Sequence, residues 1–244
     1  MINISYVCLI YKSTKWLKFV YDQLTKYTNL ENNEFYFVAN DACIEVLNYL
    51  KDNNINHYIH NNTKEQQKEW YINNVYRAFN YGAKMAKGKY VIFLNSDMAF
   101  SPEWDTQLIN SITDNTVVTS RLVERGILKS GLYGIEKNFG NNYNDYKEND
   151  FIKYVKQIEH NILKDSGLYM PIIIKKEHLE KVNYYPEGNI VPGSDIFNPL
   201  YALKGNPCIS GDKVFINKLL HFGISHKTHF GSIVYHFQEG ELRE

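Results

Sequence analysis

Apolar and polar positions fall into blocks whose period switches between that of a strand and that of a helix. Residues 4–11 (ISYVCLIY) are a nearly unbroken apolar run rich in β-branched and aromatic side chains, the pattern of a strand buried on both faces. Trp16, Leu17, Phe19, Val20 and Leu24 then recur at helical spacing behind Ser13 and Thr14, either of which can cap a helix. Residues 34–39 (EFYFVA) predict a second strand ended by Asn40-Asp41. A second helix follows through Ile44, Val46, Leu47 and Leu50, and residues 56–59 predict a short third strand. A long helix is expected over 70–86, closed by Lys87-Gly88 as a glycine C-cap, and it runs into another buried strand at 90–94 (YVIFL). Strands alternating with helices predict a parallel α/β sheet.

Past Asp97 the regularity loosens. A helix is expected over 103–112 behind Ser101-Pro102, and a strand over 116–119. Residues 126–149, rich in Gly, Asn and Tyr, read as irregular, and Phe151, Ile152, Val155, Ile158 and Ile162 restore a helical stripe. Residues 168–175 (LYMPIIIK) are strand-like, with Pro171 placing the first part at an edge or a strand start. Residues 184–207, with Pro186, Pro192, Pro199 and Pro207, read as loop. A helix over 213–221 behind Ser210-Gly211-Asp212 and a strand over 232–237 (SIVYHF) complete the series. With no repeat and no low-complexity linker, the expectation is one domain over 1–244.

Composition narrows the function classes. Lys+Arg 27 against Asp+Glu 27 leaves no net charge, so nothing in the bulk balance points to a chain built to coat nucleic acid or anionic lipid, and a local basic groove stays open. Three cysteines (Cys8, Cys43, Cys208) are too few and too scattered for a disulfide framework, which predicts free thiols in a reducing compartment and a cytoplasmic location. No apolar stretch of about 18 residues and no leader pattern occurs. The 20 tyrosines accompany abundant Asn, Lys and Ile, a genomic bias that by itself names no ligand.

The segment 90–97 ends an apolar strand in Asn95-Ser96-Asp97 and so delivers a carboxylate to the carboxyl edge of a parallel sheet, where open α/β folds bind ligands. One carboxylate there can hold a hard divalent cation whose other positions go to water and diphosphate, although N-x-D after a strand is also an ordinary turn. Upstream stand Arg77-Ala78-Phe79-Asn80-Tyr81-Gly82-Ala83 and Ala86-Lys87-Gly88-Lys89-Tyr90. In that order the residues resemble the nucleotide-sugar-dependent glycosyltransferases of family 2, whose helix carries an Arg and an Asn before a Gly and whose next strand ends in Asp-x-Asp. Asn95 replaces the first acid and Asp97 keeps the second. Ser210-Gly211-Asp212, Gly223 and Val234-Tyr235-His236 are similar to the family's Gly-Glu-Asp stretch, helix-ending Gly and strand ending in His.

The resemblance implies a GT-A fold, a Rossmann-like, mostly parallel mixed sheet flanked by helices. It implies inverting transfer from a nucleoside-diphosphate sugar, expected to be a UDP-sugar, to an acceptor hydroxyl with Mn2+ or Mg2+. By the same resemblance Asp212 is the general base, Asp97 and His236 hold the metal, and Tyr11, Asp41, Arg77, Asn80, Asn95 and Ser96 meet the nucleotide. Residues 126–165 and 186–207 match nothing in the family and are expected on the acceptor side. The acceptor stays open among glycan, protein, lipid and modified nucleic acid, and the oligomeric state is not legible.

Read without the family, Asp212 is also a helix cap, His236 a structural histidine, Asp41 a plain turn and Arg77 half of a surface ion pair. YKSTK at 11–15 has no glycine, which argues against a nucleotidyltransferase, and no G-x-G-x-x-G or complete Walker loop occurs. Asn95 and Gly211 keep one alternative open: a degenerate glycosyltransferase-like module that binds a sugar nucleotide or a partner without turnover.

Overall fold

The computed structural model describes residues 3–188, 190–191 and 210–243. β1 (Ile4–Ile10) is buried along its whole length, as its unbroken apolar run requires. α1 (Thr14–Tyr27) is capped by Ser13, whose Oγ accepts from Trp16 N at 3.2 Å. β2 (Glu34–Asn40), α2 (Ile44–Asp52), β3 (His57–His60), α3 (Tyr71–Met85) and β4 (Tyr90–Leu94) follow in the expected alternation. Next come β5 (Met98–Phe100), α4 (Trp104–Ser111), β6 (Thr116–Glu124), β7 (Ile135–Glu136) and α5 (Glu148–Ile158). The described chain finishes with β8 (Leu163–Asp165), β9 (Ile172–Lys175), α6 (Lys176–Lys181), α7 (Gly211–His221) and β10 (Ser225–His236).

The strands form one sheet in the order β3-β2-β1-β4-β9-β6-β10-β5, with β7 beside β6 and β8 beside β10. From β3 to β4 every pair is parallel. β9 runs antiparallel to both β4 and β6, β10 is parallel to β6, and β5 is antiparallel to β10. The expected mostly parallel mixed sheet is therefore present. α3 packs on β1 and β2. Two apolar clusters share the sheet, the larger under the helices and the smaller binding α5 and the 126–149 segment to the end of β10. In the smaller one Tyr146 stacks on Tyr235 at 5.7 Å and Trp16 meets Phe237 edge-on at 5.0 Å, so much of the aromatic content is core.

Several local expectations are corrected. Ala86, not Gly88, closes α3, and Gly88 N–H donates to Ser5 Oγ at 2.8 Å. β6 runs past 119 to Glu124, and β10 begins at Ser225, with a register shift between His229 and Ile233. α5 ends at Ile158, so Ile162 lies beyond it, and only Ile172–Lys175 of the 168–175 run is strand, starting after Pro171. β5, β8 and α6 are too short to show a period of their own. Cys8 and Cys43 are free thiols, while Cys208 and Pro192, Pro199 and Pro207 of the expected loop lie outside the described residues. Among the described residues no helix is long and apolar enough to cross a membrane.

Candidate active site

The carboxyl ends of β1, β2 and β4 open on one rim of the sheet, the position at which open α/β folds take ligands. A cavity of about 670 Å3 lies there, roofed by the first turns of α3 and by residues 239–242. Of the residues selected from the sequence, Tyr11, Asp41, Asn95, Ser96, Asp97 and His236 line it. Arg77, Asn80 and Asp212 are not among its lining.

Asp97 sits in the tight turn between β4 and β5, and His236 is the last residue of β10, which β5 pairs with in register His236 to Met98. That pairing brings His236 Nε2 to 3.5 Å from Asp97 Oδ2. The other ring nitrogen, Nδ1, is 3.0 Å from Oε1 of Glu124 at the end of the adjacent β6. Burial opposes a charged ring, but Asp97 and Glu124 on either side outweigh it and push the His236 pKa up to about 10. Burial likewise works against an ionised Asp97, while His236 and the Gly240 N–H at 3.0 Å hold its carboxyl below the usual range.

The remaining nucleotide-side residues are already engaged. Asp41 adopts φ +48, a left-handed conformation that Asp tolerates, and its carboxylate accepts from Asn62 N at 2.8 Å and Asn62 Nδ2 at 2.6 Å. Tyr11 is 44% exposed at the mouth. Arg77 pairs with Glu69 at 2.6 Å and donates to Asn74 Oδ1 at 2.8 Å, an ion pair whose Arg side chain is 10% exposed and whose Glu side chain is 32% exposed. Asn80 is 2% exposed and spends its amide on the main chain of Tyr185, donating to O and accepting from N at 2.9 Å each. In this structure Asn80 clamps Tyr185 rather than lining the cavity, and Asn73 two turns earlier repeats the device on Ile190.

Asp212 opens α7 behind the cap Ser210. Burial pushes its carboxyl up to about 6, partly offset by a hydrogen bond from the Tyr76 hydroxyl. Its Oδ1 is buried with no hydrogen-bond partner among the described residues. A Cβ at residue 211 would collide with the Tyr76 ring, so the family's usual acid before Asp212 has no room here. Tyr76 is the residue after the cavity-lining Val75 on α3, and Asp212, its partner, lies outside the cavity wall.

Glu124 and Tyr76 were missed by sequence reasoning. Glu124 carried a usable signal, since a strand read on to 124 ends in an acid at the same edge as Asp97. Glu239 and Glu241 also line the cavity, with nothing in the local pattern to mark them. The lining thus carries four carboxylates, Asp41, Asp97, Glu239 and Glu241, and among the described residues no Lys or Arg.

Residues 71–164 match the family model for glycosyl transferase family 2. That segment holds Arg77, Asn80 and Asn95 to Asp97, and it leaves Asp212 and His236 outside. No curated protein matches the chain in sequence. Among solved structures, GalNAc-T7 with UDP, GalNAc and Mn2+ superimposes with a TM-score of 0.60 at 16% identity, over 97% of this chain and 44% of that one. TarS 1-349 of S. aureus gives 0.57 at 12% identity, over 96% and 60%. The mannosyltransferase PcManGT of Pyrobaculum calidifontis, with GDP-Man and Mn2+, gives 0.58 at 11% identity, over 96% and 56%. The chain thus spans between 44% and 60% of these structures' own lengths. Residues 71–164 are thus similar to family 2 of the glycosyl transferases, and the chain as a whole has the GT-A fold of these structures.

Proposed function

We propose that this chain is an inverting glycosyltransferase that moves a sugar from a nucleoside diphosphate, UDP in the first instance, to an acceptor hydroxyl with the help of Mn2+ or Mg2+. The observation that carries the reading is the meeting of Asp97 and His236 in a cavity at the carboxyl rim. Four carboxylates against the one charged ring of His236, with no lining Lys or Arg among the described residues, would repel a diphosphate, and a cation between the two resolves that repulsion. UDP with Mn2+ in GalNAc-T7 and GDP-Man with Mn2+ in PcManGT support the same class of donor.

The donor set suits such a cation. Asp97 offers one carboxylate, and His236, held charged between Asp97 and Glu124, would offer an imidazole nitrogen as the cation displaces its proton; no cluster of three or more His, Cys, Asp or Glu able to hold a metal occurs among the described residues. That is a site completed by phosphate oxygens and water rather than by protein alone. When bound, the cation would neutralise charge gathering on the departing diphosphate. Glu124 fixes the ring of His236 from behind. Asp41 and Tyr11 would meet the nucleoside, and Asn95 and Ser96 the diphosphate. Asp212, ionised at neutral pH, takes the proton of the acceptor hydroxyl as its oxygen attacks the anomeric carbon. The bond from that carbon to the diphosphate oxygen breaks on the opposite face, and the diphosphate keeps the electron pair.

The test is a panel of UDP- and GDP-sugars with Mn2+, read as diphosphate release with and without candidate acceptors. Release that stops on chelation upholds the reading. A melting temperature raised by the donor with no release at any acceptor would instead establish a binding module.

A further inference from the structure

The Glu241 carboxylate is bound in the candidate donor cavity by four donors. Its Oε1 accepts from Lys12 N at 3.1 Å and Ser13 N at 2.9 Å, and its Oε2 accepts from Tyr11 N at 3.2 Å and Ser96 Oγ at 2.9 Å. The three amides lie between the end of β1 and the first turn of α1, where free N–H groups and the helix dipole favour an anion. The hydroxyl comes from the turn that carries Asp97. Two parts of the rim therefore converge on one negative group, and that group belongs to the chain itself.

The path of the chain shows how it arrives. Gln238 is buried and anchored, its Oε1 accepting from Ile127 N at 2.8 Å and Leu128 N at 3.1 Å. Gln238 and Glu239 both take φ +60, two successive left-handed residues without a glycine, and they turn the chain back over the cavity. Gly240 then lies directly on the site, its N–H donating to Asp97 Oδ2 at 3.0 Å. A Cβ there would come within 2.5 Å of Asp97 Cβ and 2.8 Å of Trp16 Cζ2, so no side chain fits between them.

We infer that residues 239–242 form a strap that closes the donor cavity, with Glu241 seated where a phosphoryl oxygen of the nucleotide is held once the strap leaves. This inference rests on the donor-binding reading above. Strap and nucleotide exclude each other for three reasons. They compete for the same four donors, the seated strap occupies the Asp97 oxygen that faces His236, and it contributes two of the four lining carboxylates. Lifting it frees Asp97 and removes both charges in one movement. A closed cavity lowers the apparent affinity for donor by the fraction of molecules that are open.

The experiment compares wild type with Glu241→Ala in calorimetric titrations of UDP and GDP, each with Mn2+, and of inorganic pyrophosphate. About tenfold or tighter binding of a nucleotide to Glu241→Ala is expected, as for a strap seated in roughly nine molecules of ten. Glu241→Gln, which keeps the shape and loses the charge, is expected to fall between the two and serves in place of the alanine variant should that one fail to fold. Equal or weaker nucleotide binding by the variants overturns the strap and leaves the donor site standing. If neither nucleotide binds any form, the donor reading fails and pyrophosphate decides. Tighter pyrophosphate binding by Glu241→Ala upholds the cradle and its occupant, and unchanged or absent binding overturns them.

Discussion

The Nδ1 of His236 lies 3.0 Å from Oε1 of Glu124, so the ring that faces Asp97 with one nitrogen is held from behind by a second carboxylate through the other. Removing such a partner typically weakens metal binding by about 10–100-fold. Glu124→Gln is expected to lower Mn2+-dependent UDP affinity by about that factor, with the far-UV spectrum unchanged, as measured by calorimetry. Full affinity in this variant would detach Glu124 from the site.

Asp212 carries the pH dependence of the proposed transfer. Its carboxyl is pushed up to about 6 by burial, and a base must be unprotonated to act, so the rate is expected to fall as pH drops through about 6. Asp212→Asn is expected to lose at least ~100-fold in transfer while keeping donor binding. A variant that turns over normally would hand the proton to another group.

His226 predicts a pH effect on folding rather than on catalysis. Burial pushes its pKa down to about 4 from 6.5, with Nε2 at 3.1 Å from Thr119 Oγ1 and the ring stacked against Tyr169. The unfolded chain takes up the proton near 6.5 and the folded chain only near 4. Stability is therefore complete above about pH 6.5 and declines as pH falls towards 4, by up to about 3 kcal/mol. Urea midpoints at pH 7 and 4.5 should differ less in His226→Gln than in wild type, and an equal difference would clear His226 of the effect.

Asn80 and Arg77, three residues apart on α3, should separate in opposite ways from what their motif suggests. Asn80→Ala leaves the buried N–H and C=O of Tyr185 unpaired and is expected to cost about 2 kcal/mol or more in urea denaturation. Arg77→Ala breaks a partly exposed pair with Glu69 and should cost about 1 kcal/mol or less. Weakened UDP binding by Asn80→Ala at undiminished stability would return that residue to the nucleotide.

The alternating half of the fold was legible because β1, β2 and β4 are buried on both faces and α1 and α3 carry long apolar stripes. Long-range pairing lay beyond reach. β10 is read from its apolar end at 232–237, while its first half carries His226, Lys227, Thr228 and His229, polar residues made strand by β6 and β8. The rim turn Asn95 to Asp97 was visible as an acid after an apolar strand. Glu241 was not, because what makes it notable is four donors contributed by residues near positions 12 and 96.

Among the described residues β9 is the one strand between β4 and β6 along the sheet, and its Ile172 and Ile173 pair with both of them. The ladder that ends in Asp97 and the ladder that ends in Glu124 and His236 are thus spaced by a splint four residues long. Trimming Ile173 to Ala would disturb neither a ligand nor a proton, and Asp97 and His236 would stay tied through β5 and β10, yet the cavity left in the buried splint would cost about 2–5 kcal/mol in the fold that carries the rim. A random-mutation screen for lost transfer should accordingly collect hits in this apolar splint alongside the polar rim.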